Sequence, residues 1–131
     1  MYRQVQQPKI IASKTCSGIC FKTLEFTVIF LYLSQSYCKK SVNSLLEDWI
    51  EHDTPTAILG DINEDLFKSS DLEKLMKRKG FQQLINDPTH ISGSLIDHIY
   101  VNDLMSRKGI YHQLEVAYFS DHDVISLYVK K

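Results

Sequence analysis

The hydrophobic period of this chain changes twice between Thr27 and Leu59, and that change constrains its fold more than anything else in the sequence. Thr27-Val-Ile-Phe-Leu-Tyr-Leu33 is a continuous apolar run of strand length. Residues 39 to 52 then place Val42, Leu45, Leu46, Trp49 and Ile50 on one helical face and Lys, Asn, Glu and Asp on the other, which predicts an amphipathic helix. Ala57 to Leu59 read as a second buried strand. A strand, a helix and a strand in that order predict a crossover between parallel neighbours of one sheet, because parallel strands need a long connection.

The second strand runs into Gly60-Asp-Ile-Asn63. Gly60 lets the backbone turn tightly or approach another chain segment closely. If the extended path continues, Asp61 and Asn63 share one face while Ile62 points back into the protein. A carboxylate and a carboxamide together at the end of a core strand suit chemistry. Gly, Asp and Asn are also common turn residues, so an ordinary strand exit stands beside that reading.

The rest of the chain supplies more strands and one more helix. Lys9 to Ala12 and Gly18 to Phe21 are short β-rich runs that predict, with Thr27 to Leu33, a hairpin or meander. Ser70-Asp-Leu-Glu73 is a capping box that opens a helix through Lys79, with Gly80 as its stop. Its cations, Lys74, Lys77, Arg78 and Lys79, suit the C-terminal end of the helix dipole and a solvated face. Phe81 to Ile85 should be a strand or irregular, Asn86 to His90 a turn, and Leu95 to Val101 a strand. Asp97 falls on the core-facing side of that strand with Ile99 and Val101, where a carboxylate is costly unless paired or bound to metal. His98 is expected to face the other way, at the surface or on a sheet face. Residues 103 to 113 read as a loop, Leu114 to Phe119 as a strand and Val124 to Val129 as the last one, with Ser120-Asp-His-Asp123 between them.

At 131 residues the chain suits a single domain, 1–131, able to bury about two-thirds of its unfolded surface. No apolar run reaches the ~18 residues of a membrane helix, and no secretory signal is expected, which predicts an intracellular, cytoplasmic or nuclear protein. Cys16, Cys20 and Cys38 form no CxxC pair and suggest free thiols rather than disulfides or a zinc site. The net charge of −1 conceals an asymmetry: residues 1 to 46 carry six Lys/Arg against one acid, the remainder nine against fifteen. A basic segment of this size can meet an anionic partner or simply be solvated.

Gly-Asp-Ile-Asn at 60 to 63, Asp97 and Ser-Asp-His at 120 to 122 each occur where an apolar strand meets a loop. If the strands stack in two sheets, these points can converge at one rim. Two carboxylates about 4 Å apart at an effective dielectric near 20 repel by roughly 4 kcal/mol. Compensation would come from a divalent cation on one or two of the carboxylates and from a protonated or hydrogen-bonded His122 against another. Oxygen ligands with one histidine favour Mg²⁺ or Mn²⁺.

Ile-Leu-Gly-Asp-Ile-Asn, then Asp87-Pro-Thr-His90 with Leu95-Ile-Asp-His-Ile-Tyr-Val101, then Tyr-Phe-Ser-Asp-His, in that order, resemble the endonuclease/exonuclease/phosphatase superfamily. The combination is most similar to the endonuclease domains of mobile elements, of non-LTR retrotransposon or Helitron type, and the resemblance is strongest over 27–131. It implies an α/β class fold, a DNase I-like two-sheet α/β sandwich, and Mg²⁺- or Mn²⁺-dependent hydrolysis of phosphodiesters. The family pattern begins with an Asn-bearing strand and a metal-binding Glu well upstream of the Tyr32 strand. Both are absent here, so the expectation is a partial sandwich without the N-terminal half of the usual domain.

By matched motif, the resemblance implies that Asp61 orients and deprotonates the attacking water and that Asn63 holds it or a phosphoryl oxygen. Asp121 would be a metal ligand, His122 would contact the scissile phosphate, and Asp97 would fix His122. Tyr32, Thr89 and Ser120 match positions lining the phosphate-binding surface. The implied partner is a nucleic acid, DNA above all, with no membrane. Two alternatives remain open: a phosphoesterase acting on lipid or RNA, and a catalytically inactive remnant that binds or self-associates through an exposed sheet edge.

Overall fold

The structure, a computed structural model, describes residues 7–130. Its main sheet has six strands in the order β1-β2-β3-β4-β6-β5, where β1 is Lys9–Ala12, β2 Cys16–Lys22, β3 Thr27–Leu33, β4 Thr56–Asp61, β5 Phe81–Gln83 and β6 Asp97–Asn102. β1 to β3 form the expected antiparallel meander. Helix α1, Lys39–Trp49, carries the chain across so that β4 lies parallel to β3. The helix ends short of residue 52 because Ile50 is already extended and Asp53 adopts a positive φ of 61° before Pro55.

Alternation along the strands divides the core in two. Ile29, Leu31, Leu33, Ile58, Ile62 and Tyr100 face α1 and α2 (Asp71–Arg78), where they pack with Val42, Leu46, Trp49, Leu72 and Met76. Ala57, Leu59, Ile99 and Val101 face the other way and are met by a second, two-stranded sheet, β7 (Ile110–Glu115) and β8 (Val124–Val129). Tyr111 and Tyr128, directly paired across these strands, stack at 4.6 Å.

This small sheet covers only part of the main one. Ile10, Ile19, Phe30, Leu59 and Ile99 sit side by side across five strands, yet Phe30 is 45% and Ile10 70% exposed while Ile99 is buried. The architecture is therefore the expected two-sheet α/β sandwich, covered over β4 and β6 and open over β1 to β3.

Three expectations are corrected. His98 faces away from Asp97, as expected, but is fully buried on the helix side of the sheet rather than at the surface, because both faces of β6 are covered; its Nε2–H donates to Glu64 O (2.8 Å) and its Nδ1 accepts from Tyr100 Oη (2.7 Å). Burial lowers its pKa and holds it neutral. Residues 103 to 113 are not a loop throughout: Asn102 caps a short helix α3, Asp103–Ser106, and Gly109 turns the chain into β7. That strand ends at Glu115, so Val116 to Phe119 lie in the loop beyond it.

Glu64 ties the crossover to the next helix. Its Oε1 accepts from Ser70 Oγ (2.8 Å) and Leu72 N (2.9 Å), its Oε2 from Tyr37 Oη (2.8 Å). The carboxylate thus shares the capping of α2 with Ser70, which accepts from Glu73 N. Removing it orphans these donors at once, so Glu64→Ala is expected to lower stability by about 2 kcal/mol, read as a shifted midpoint in urea unfolding, with Glu64→Gln costing less.

Candidate active site

The site begins with backbone register. β3 and β4 run parallel with Tyr32 opposite Asp61, and β4 and β6 run antiparallel with Asp61 opposite Asp97. Directly opposed residues share a face, so Tyr32, Asp61 and Asp97 form a row at one end of the sheet, on the side of the second sheet. Gly60 makes the close pairing possible: a Cβ there would lie 1.7 Å from Leu31 O.

His122 joins this row from the loop before β8. Its Nδ1 is 2.8 Å from Asp97 Oδ2, and its Nε2 is 3.7 Å from Asp61 Oδ2. The loop is pinned by its neighbours: Asp123 N donates to Thr89 O (2.7 Å), Ile91 N to Asp121 O (2.8 Å), and His122 N to Ser120 Oγ (3.2 Å). His90 and His122 form a β-bridge and meet edge to face with ring centroids 5.0 Å apart.

The electrostatics follow from crowding. Burial, then the Asp97 charge, raises the Asp61 pKa, only partly offset by His122 and the Asn63 N–H. Burial works to lower the His122 pKa, but the Asp97 hydrogen bond and the Asp97, Asp61 and Asp121 charges together outweigh it and raise the net value. Asp61, Asp97 and His122 each offer a ligand atom within 4.8 Å of the others. Carboxylate oxygens dominate this donor set, and the unfavourable burial of Asp61 is what a bound cation would relieve. A hard divalent ion fits better here than zinc.

The remaining candidates fall at graded distances from this centre. Asn63 does not continue the extended path of β4; it turns with φ 57°, a conformation asparagine tolerates. Its backbone N–H donates to Asp61 Oδ1 (3.1 Å) and its Nδ2 to Leu33 O (2.7 Å), which leaves Oδ1 and a second N–H without partners among the described residues. Tyr32 is half exposed beside Asp61. Thr89 differs from its expected place on a phosphate-binding surface: it is fully buried, and its Oγ1 accepts from Ile96 N (3.1 Å) and Asp97 N (3.0 Å), so it supports the site through the Asp97 backbone. Ser120 and Asp121 are exposed next to His122, and Asp121 stands outside the three-residue group while its charge acts on His122. Sequence reasoning gave no role to His90, although its place directly after Thr89 in the motif pointed to it.

A histidine whose folded pKa is raised stabilises the fold fully below its unfolded value of about 6.5, and that contribution fades as the pH climbs through the folded value. The imidazole proton resonances of His122 are expected to titrate above 6.5. In Asp97→Asn the midpoint should fall, because the principal bond and charge are gone while burial remains. An unchanged midpoint would mean that Asp97 does not govern His122.

No family model matches the chain, and no curated protein does. Solved structures do match. The endonuclease domain of TRAS1, a telomere-specific non-LTR retrotransposon, aligns with 94% of this chain and 67% of its own at 15% identity, with a TM-score of 0.65. An endonuclease/exonuclease/phosphatase family protein from Bacteroides thetaiotaomicron aligns with 86% of this chain and 54% of its own at 15% identity and a TM-score of 0.54. A protein of the same family from Leptotrichia buccalis C-1013-b aligns with 88% and 54% at 12% identity and a TM-score of 0.59. This chain thus spans between about half and two-thirds of the length of those structures, and over that span it has the fold of the endonuclease/exonuclease/phosphatase superfamily.

Proposed function

We propose that this chain is a metal-dependent phosphodiesterase of the endonuclease type, with DNA as its substrate. The observation that carries this is the convergence of Asp61, Asp97 and His122 from two strands and a separate loop on one rim, with the imidazole held between both carboxylates. Likeness in fold to the TRAS1 endonuclease domain supports the substrate class.

Each residue then has a role that its surroundings favour. Asp61 is the base that orients and deprotonates water, and a raised pKa is the direction such a base needs. Asn63, anchored through Leu33 O, presents its free amide edge to that water or to a phosphoryl oxygen. His122 turns Nε2 to the phosphate because Asp97 occupies Nδ1, and its favoured imidazolium form stabilises developing negative charge. Tyr32 and Ser120 flank the phosphate, and Thr89 keeps Asp97 in place from below. Asp121 is the carboxylate that would hold Mg²⁺ or Mn²⁺ beside this group, and the ion when bound supplies charge neutralisation and polarises a phosphoryl oxygen.

The test is nicking of supercoiled plasmid by the full chain with Mg²⁺ or Mn²⁺. Asp61→Ala and His122→Ala should each reduce the rate by about 10² or more. Nicking that persists in both variants, or no nicking by the wild-type chain, overturns the proposal. Parallel assays on phosphoinositide, sphingomyelin and RNA would redirect the substrate class if only one of those were cleaved.

The open face over β1 to β3 favours a second reading, in which two copies associate through that face and its β1 edge. Light scattering of the wild-type chain should then report a dimer that Phe30→Asp dissociates. A wild-type monomer at 100-fold changes in concentration would exclude it. No helix among the described residues is long and apolar enough to cross a membrane.

A further inference from the structure

His90 has a bonding pattern that fixes where its proton sits. The backbone N–H of Ser92 donates to His90 Nδ1 at 3.1 Å, and Ser92 Oγ lies 2.8 Å from the same nitrogen. A backbone amide cannot accept, so Nδ1 must carry the lone pair. The neutral ring therefore holds its proton on Nε2. Ser92 Oγ in turn lies 2.9 Å from Ser94 Oγ, so a short hydroxyl chain backs the arrangement.

That Nε2–H has no acceptor among the described residues, and the ring is only partly buried. It also stands at the site. His90 is bridged to His122 through the backbone and meets its ring edge to face at 5.0 Å, beside the imidazole whose Nε2 lies 3.7 Å from Asp61 Oδ2. A donor fixed in tautomer, backed from behind and unused in front, suits an anionic ligand oxygen. Its donor capacity does not require the ring to be charged.

We infer that His90 is a second substrate-contacting imidazole, whose Nε2–H, fixed by Ser92, donates to a non-bridging oxygen of the phosphodiester that His122 contacts. This rests on the proposed phosphodiesterase site. The two histidines divide the work: His122, facing two carboxylates, supplies charge, whereas His90, facing Ser92, supplies a neutral directional hydrogen bond.

The experiment is long-range ¹H–¹⁵N imidazole spectroscopy on the full chain, with deoxythymidine 3′,5′-bisphosphate as the phosphate probe. The free protein should show His90 as the Nε2–H tautomer, and the probe should shift His90 Nε2 and His122 Nε2 together. His90→Phe, which keeps a ring against His122 and loses the donor, should weaken probe binding about tenfold, as expected for one hydrogen bond to a charged acceptor. His90→Gln, with an amide N–H near the Nε2 position, should recover most of that loss. An Nδ1–H tautomer, or a response of His122 without one of His90, overturns the role of His90 alone. If neither histidine responds, the phosphodiesterase site falls and the role of His90 with it. Because the spectra are recorded on the wild-type chain, these outcomes stand even if a variant fails to fold.

Discussion

The parallel pairing of β3 with β4 is the constraint on which the remaining structure depends. It fixes Tyr32 opposite Asp61, and the next pairing fixes Asp61 opposite Asp97, so one register decides the whole row. Because a strand's side chains alternate, a slip of one residue would carry the carboxylates to the helix side and bury them among Leu33, Ile62 and Tyr100. Gly60 guards the register by admitting an approach to Leu31 O that no side chain permits. The helix crossover and the Glu64 bonds then hold the end of β4 in place.

Given that row, the electrostatic problem and its solution are local. A buried carboxylate, Asp97, faces a partly buried one, Asp61, and one imidazole lies between them. The same arrangement raises the proton affinity of Asp61 and of His122, though for opposite reasons: the fold resists a charge on the first and favours a charge on the second. The site is thus preorganised by competition for protons.

Much of this was legible in the sequence. The change of period between Thr27 and Leu59 specified the crossover, because strand and helix periods differ too much to be confused over such lengths. Core placement of Asp97 followed from Ile99 and Val101, its neighbours at even spacing. The face His98 takes was legible but its burial was not, since alternation says which face a residue takes and not whether that face is covered. At Asn63 the sequence left a turn and an extended path open side by side: Asn is compatible both with an extended strand and with a positive φ, and the hydrogen bond to Leu33 O that decides between them spans thirty residues. Start and end of β7 were misplaced because Tyr118 and Phe119 have high strand propensity, whereas the pairing of Tyr111 with Tyr128 sets the true register. The contribution of Glu64 lay in contacts that local pattern cannot reveal.

The small sheet that delivers His122 has a consequence for how the protein moves. No residue of β7 or β8 is fully buried, whereas β4 and β6 are almost wholly enclosed. The two halves of the site thus belong to regions of unequal burial: Asp61 and Asp97 to the most enclosed part of the chain, His122 to a ribbon held against it by partly buried Ile110, Ile125, Leu127 and Val129, a few backbone bonds and one imidazole. Amide protons of the ribbon should exchange with solvent through sub-global openings that leave the main sheet intact. Each such opening would separate the imidazole from both carboxylates, which would make the assembled site the closed member of an equilibrium internal to the fold.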